Sequence, residues 1–242
     1  IHVKAILNDI DTLNLHLDIG SSDIRITKEA ILQKTHLLEH QTEILAGTMK
    51  PDFNHLKKVN KIELGTLIIE SPVTLPTGFT AQEMDGRFGW NLFEGKILEI
   101  NYDQHLLIIH SSLPRKLKGY VKSRIEFNRS FVCIHANFLI DHKKYSGQFL
   151  LDTGSDQAIL LDSAWCSKHQ FPTALKCIRT SEVKDPRGIV YHTKIVETPS
   201  FSLNGFELTN IPVYLLGSKN PVGFEMNFIG NDLFKRFNVI FD

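Results

Sequence analysis

The chain has few cysteines, no surplus of charge of either sign and no long apolar run. Cys133, Cys166 and Cys177 are its only cysteines in 242 residues, too few for a disulfide scaffold. At most one bridge can form, within the second half, and three buried thiols is the simpler reading. Twenty-seven basic residues balance twenty-seven acidic ones, which leaves no electrostatic footprint for a nucleic-acid partner. No stretch of eighteen apolar residues occurs, so no helical membrane span is expected. The first residues, from Ile1, lack the basic flank and apolar core of a signal peptide, so a leader is expected to have been removed or to lie outside this sequence. Strands do not alternate with helices in a βαβ pattern, which disfavours a doubly wound fold.

What the chain does have is a repeat of long period. His-Leu-Asp-Ile-Gly-Ser occupies 16–21 and Leu-Leu-Asp-Thr-Gly-Ser occupies 150–155. Each ends an apolar, strand-like run with an Asp, followed two residues on by Gly and then by Ser. Asp18 and Asp152 are 134 residues apart. Farther along, Phe88-Gly89-Trp90-Asn91-Leu92-Phe93 parallels Ile229-Gly230-Asn231-Asp232-Leu233-Phe234 at an offset of 141. Between these anchors, Ile62-Glu63-Leu64-Gly65 with Pro72-Val73 parallels Ser202-Leu203-Asn204-Gly205 with Pro212-Val213 at an offset of 140. Ordered anchors with a slowly growing offset indicate duplicated lobes and not a solenoid. The expected division is a lobe over 1–112, a polar connection over 113–124 containing Pro114 and Gly119, and a lobe over 125–242. Past Asn101, the counterpart of Asp242, the first lobe continues through one more strand to His110, so the second lobe is expected to lack that strand.

Short β-type runs at 1–7 and 13–18, separated by Asn8-Asp9-Ile10-Asp11, predict a hairpin, and 130–140 with 145–152 predict the same hairpin again. Further strands are expected at 67–75, 97–100, 106–110, 189–196, 206–208 and 211–216. Apolar residues at Ile31, Leu32, Leu37 and Leu38 predict a helix over 27–40 capped by Thr27. Segments 91–94 and 231–236 suit one or two helical turns.

These motifs resemble the aspartic peptidase family of the pepsin and retropepsin type, over nearly the whole chain. In that family each lobe carries Asp-Thr/Ser-Gly-Ser/Thr/Ala on a tight turn, and a hydrophobic-hydrophobic-Gly segment threads past it. Here those segments are Arg87-Phe88-Gly89 and Phe228-Ile229-Gly230, the first with Arg where an apolar residue is expected. The lobes are short, as in a fused, single-chain version of the retropepsin dimer found in bacterial members. The resemblance implies a mainly β fold: two acid-protease-like β-barrel lobes related by a pseudo-twofold axis, with a few short helices. It implies an aspartic endopeptidase, a monomer acting on peptide or protein substrates without a cofactor, in an extracytoplasmic (periplasmic or secreted) setting.

The residue types fit that chemistry. Asp18 and Asp152 facing each other would share one proton and titrate as a unit. The ionised member would activate a water and the protonated member would donate to the scissile carbonyl oxygen. Supporting roles fall to Gly20, Ser21, Thr153, Gly154 and Ser155. The glycines are expected to permit the tight turns and their close approach. Each Ser is expected to donate to the outer oxygen of its Asp. Thr153 is expected to brace the turns through its hydroxyl. Ile19 replaces the matching Thr or Ser and cannot form that bond, so it is expected to substitute apolar burial. Ile19 also leaves open a catalytically weak or inactive peptide-binding relative. Flap hairpins are expected at 46–51 and 184–188. A third class comes from His36-Leu37-Leu38-Glu39-His40, a literal H-x-x-E-H that on a helix would place both His on one face for zinc. The bland alternative for it is a solvated helix face.

Overall fold

The computed structural model describes residues 1–41, 50–115, 117–184, 189–216 and 226–242. The expected flap segments fall almost wholly outside the described residues. Strands make up 49% of the described residues and helices 11%, which establishes the mainly β class. The chain divides into two compact units, Ile1–Glu94 and Gly95–Asp242.

In the first unit β1 (His2–Leu7) and β2 (Asp11–Leu17) form the expected hairpin. The turn places Asn8 and Asp9 at positive φ, a conformation that Asn and Asp tolerate better than most residues. β2 alternates so that Leu13, Leu15 and Leu17 point inward and are fully buried, the period-2 pattern of a strand with one covered face. β3 (Ile24–Thr27), α1 (Lys28–Lys34), β4 (Lys61–Leu64), β5 (Leu67–Glu70), β6 (Thr74–Thr77) and β7 (Gly86–Phe88) follow. They complete an open, half-barrel sheet in the order β5-β4-β1-β2-β7-β3-β6. The strand expected over 67–75 is two strands, because Ser71 turns left-handed (φ 49°) just before Pro72, which has no N–H to continue a ladder.

Thr27 caps α1 as expected, accepting from the Ala30 amide at 3.1 Å. The helix stops at Lys34 and does not reach His40. Asp11 captures the backbone N–H of His36 at 3.0 Å and also bonds its ring nitrogen, which pulls the chain out of helical geometry.

In the second unit, β8 (Ile97–Asn101), β9 (Leu106–His110) and β10 (Glu126–Asn128) precede a longer hairpin, β11 (Phe131–Ile140) with β12 (Lys143–Asp152). Its two-residue turn, Asp141-His142, has both residues at positive φ, as a type I′ turn requires. β13 (Ile159–Leu161), α2 (Ser163–His169), β14 (Cys177–Lys184), β15 (Val190–Leu203), β16 (Phe206–Leu216), β17 (Asn227–Gly230), α3 (Asn231–Phe234) and β18 (Val239–Phe241) complete it. β11-β12-β17-β13-β16-β15 close on themselves through Phe138↔Phe201. Phe138, Phe149 and Phe201, all fully buried, pack inside this barrel with ring centroids 4.9 to 6.1 Å apart.

The two units repeat one another pairing by pairing. Leu17↔Phe88 is matched by Leu151↔Ile229, and Ile24↔Phe88 by Ile159↔Ile229. The helix caps Thr27 and Asp162 are 135 apart and make the same bond, Asp162 accepting from Trp165 N at 2.8 Å. The middle hairpins correspond as Leu64↔Leu67 and Leu203↔Phe206. That is an offset of 139, not the 140 read from their glycines, because Gly65 and Gly205 occupy different places in their turns.

The β8–β9 hairpin, counted in a lobe over 1–112 by the repeat, groups with the second unit, as does segment 113–124. The reason is that β8 pairs with β9 and β18 alone among the described strands. Val239↔Ile100, Ile240↔Glu99 and Phe241↔Leu98 centre on two residues 141 apart, so these equivalent strands pair about a local twofold.

Candidate active site

Each candidate Asp stands at the end of a central strand, where the same construction is made twice. The strand delivers Asp18 at the end of β2 and Asp152 at the end of β12. The turn is closed by Ser21 N donating to Asp18 O at 3.0 Å, and by Ser155 N donating to Asp152 O at 3.3 Å. The carbonyl of each Ser then accepts from the far segment: Trp90 N at 3.0 Å and Asn231 N at 2.7 Å. Gly89 and Gly230 sit against these turns so tightly that a Cβ would lie 2.3 Å from Ser21 O and 2.2 Å from Gln157 O respectively. The threading expected of the hydrophobic-hydrophobic-Gly segments is therefore present in both units.

The expectation for the two serines needs correction. Ser21 Oγ donates to Asp23 at 2.9 Å, and Ser155 Oγ bonds the equivalent Gln157. With its one proton committed there, neither hydroxyl donates to its catalytic candidate. Neither Gly20 nor Gly154 has a left-handed backbone; Gly89 and Gly230 are glycines that these turns require sterically. Ile19 is 1% exposed, so burial does replace the missing hydroxyl at that position. Thr153 is buried as well.

The carboxylates differ in their surroundings. Asp152 Oδ1 accepts from Gly154 N at 2.9 Å and Ser155 N at 3.1 Å, two turn amides that favour the ionised form. Asp18 is 5% exposed, and its Oδ2 lies 3.2 Å from Nη1 of Arg87. β2 and β7 set His16 opposite Arg87; the same register in the second unit holds Leu150 opposite Phe228. A polar pair in one unit thus replaces an apolar pair in the other. Arg87 stood out in the sequence as a misfit in an apolar motif. His16 carried no signal of its own, because the pairing that makes it a neighbour of Arg87 is between strands 71 residues apart.

His16 is 2% exposed. Burial, then the charge on Arg87, pushes its imidazole down to about 4. A His with a depressed folded value stays neutral while the unfolded chain takes up a proton, so stability falls as pH drops from about 6.5 to about 4. Linkage puts that loss at about 3 kcal/mol. Urea unfolding at the two ends of this range should show it in the wild type, and His16→Leu should remove most of the difference. An equal acid loss in both proteins would refute the assignment.

The helix that the zinc alternative requires is not formed. His36 to His40 are not helical, His36 is engaged by Asp11, and no cluster of metal-ligating residues occurs among the described residues. The cysteines are unbridged; Cys133 and Cys166 are buried, but Cys177 is exposed, contrary to expectation. Burial pushes the Cys166 thiol up to about 12, which makes it unreactive. A cavity of about 650 Å³ in the second unit, lined by Leu113, Leu203, Phe206, Phe237 and Phe241 among others, does not include Asp152. No helix is long and apolar enough to cross a membrane among the described residues.

No family model and no curated protein matches the chain. Among solved structures it is similar to a retropepsin-like aspartic protease from Rickettsia conorii, at 24% identity and a TM-score of 0.33 over 47% of this chain and 77% of that one.

Proposed function

We propose that the chain is an aspartic endopeptidase whose Asp18 and Asp152 together activate one water. The observation that carries this reading is the twin construction: two Asp-bearing turns, each closed by its Ser and each overlain by a Gly that admits no side chain. An Asp serving only to make a turn would need no such threading segment, and the coincidence in both units argues for a common task. Two carboxylates sharing one proton supply a general base and a general acid without metal or covalent intermediate. Peptide or protein substrates, action as a monomer and an extracytoplasmic setting belong to the same proposal.

A second reading, a peptide-binding relative with little turnover, is favoured by Ile19 and by the ion pair of Asp18 with Arg87. Incubation with a peptide library across acid to neutral pH decides between them. The expected result is internal cleavage blocked by a statine-type inhibitor and unaffected by a chelator. Binding of the inhibitor without cleavage would select the second reading, and neither binding nor cleavage would remove both.

A further inference from the structure

We propose that Arg87 makes the two carboxylates unequal: it keeps Asp18 ionised as the general base, so that the transferable proton resides on Asp152. This rests on the peptidase reading above. In the attack step Asp18 takes a proton from water, the water oxygen bonds to the carbonyl carbon, and the Asp152 proton passes to the carbonyl oxygen. A neutral gem-diol results. On collapse the C–N bond breaks and the leaving nitrogen takes the proton held by Asp18. A gem-diol hydroxyl returns a proton to Asp152, which restores the starting charges.

The geometry points this way from several sides. A guanidinium at 3.2 Å is a partner for a carboxylate and has no acceptor to offer a carboxylic acid. Arg87 is drawn off only weakly by Asp23, whose Oδ1 is 3.9 Å from its Nη2. Asp23 already takes bonds from Arg25 Nε at 2.8 Å and Ser21 Oγ at 2.9 Å. Burial opposes ionisation of Asp23, but these bonds hold its carboxyl below the usual value. His16, beside Arg87 in the sheet, is neutral through the weakly acid range and adds no competing cation. The Ile1 amino group and His2, on the neighbouring strand, oppose a proton on His16 too. In the second unit Phe228 stands at the position of Arg87 and brings no charge, and the two turn amides on Asp152 Oδ1, being neutral donors, favour its ionised form less strongly than a guanidinium favours that of Asp18.

Arg87 is also an expensive residue to keep. Its Nε and His16 Nδ1 are buried without a hydrogen-bond partner among the described residues, a state that costs stability. The apolar pair Leu150 and Phe228 shows that the fold itself does not need it.

The test is carboxyl-carbon NMR of protein labelled in its Asp side chains, with Asp18 assigned through Asp18→Asn. In Arg87→Met, which keeps an unbranched side chain, the Asp18 midpoint should rise by at least about one pH unit. Arg87→Lys should recover part of the shift. The acid limb of kcat/KM should move to higher pH along with it. If Arg87→Met folds poorly, Arg87→Gln serves the same comparison. An Asp18 midpoint that stays within about 0.3 unit overturns the proposal. So does a shifted midpoint with an unmoved acid limb. Wild-type protein that binds or cleaves no peptide overturns the peptidase reading and the base role, while the titration still reports whether Arg87 sets the charge of Asp18.

Discussion

Asp152→Asn lowers kcat/KM for peptide hydrolysis by at least about a thousandfold while peptide or statine-type inhibitor affinity stays within a few-fold. That loss corresponds to about 4 kcal/mol of transition-state stabilisation, within the range for removing a general acid. The substitution is nearly isosteric. The amide oxygen can go on accepting from the Gly154 and Ser155 amides, now at 2.9 and 3.1 Å, so the turn is kept. What is lost is a transferable proton. Asp18→Asn should also abolish turnover, but with a second effect. It leaves the Arg87 guanidinium, 21% exposed, without the carboxylate 3.2 Å away, and breaking a largely buried ion pair from one side costs up to about 3 kcal/mol. Steady-state kinetics and thermal melts on both variants test this: two dead enzymes, of which only Asp18→Asn melts markedly lower. Hydrolysis by Asp152→Asn within tenfold of wild type would sink the proposed mechanism, and equal melting temperatures would sink the claimed asymmetry.

The parts of the fold legible in the sequence are those fixed by local pattern plus the repeat. Both Asp turns, the paired hairpins and the Thr27 cap follow from alternation, turn residues and capping chemistry that a single segment carries within itself. The threading glycines were legible for a different reason: they recur at 141 residues beside the same neighbours. What could not be read depended on partners far away in the chain. Leu37 and Leu38 continue a helical spacing, but Asp11, 25 residues upstream of His36, takes the backbone elsewhere. The β8–β9 hairpin follows the first repeat in sequence and joins the second in space, because β18 offers it an edge. The serine hydroxyls were expected on Asp18 and Asp152, and only the geometry showed that Asp23 and Gln157 take them. The same holds for Arg87: its misfit was visible, but that it meets Asp18 depended on the register of β2 with β7.

Gly230→Ala should unfold the second unit or destabilise it by at least about 3 kcal/mol, the range of strong overpacking. The backbone is not the reason. Gly230 has φ −102° and ψ −177°, an extended conformation open to any residue. The constraint is space: an added Cβ would stand 2.2 Å from Gln157 O and 2.8 Å from Ser155 O. Both are main-chain oxygens, in the turn that presents Asp152, so no side chain can swing aside to make room. Relief would require moving the turn, and the Asn231 N to Ser155 O bond of 2.7 Å ties the same two segments together. Gly89→Ala should behave alike in the first unit, with its Cβ 2.3 Å from Ser21 O. Gly78 is the control. Nothing lies within 4 Å of its Cβ position and its φ is not left-handed, so Gly78→Ala should be neutral or stabilising by up to about 1 kcal/mol. Urea unfolding of the three variants separates the cases. If Gly230→Ala and Gly89→Ala each cost less than about 1 kcal/mol, the segments do not pass as closely over the Asp turns as the distances state, and the observation that carries the peptidase proposal is lost.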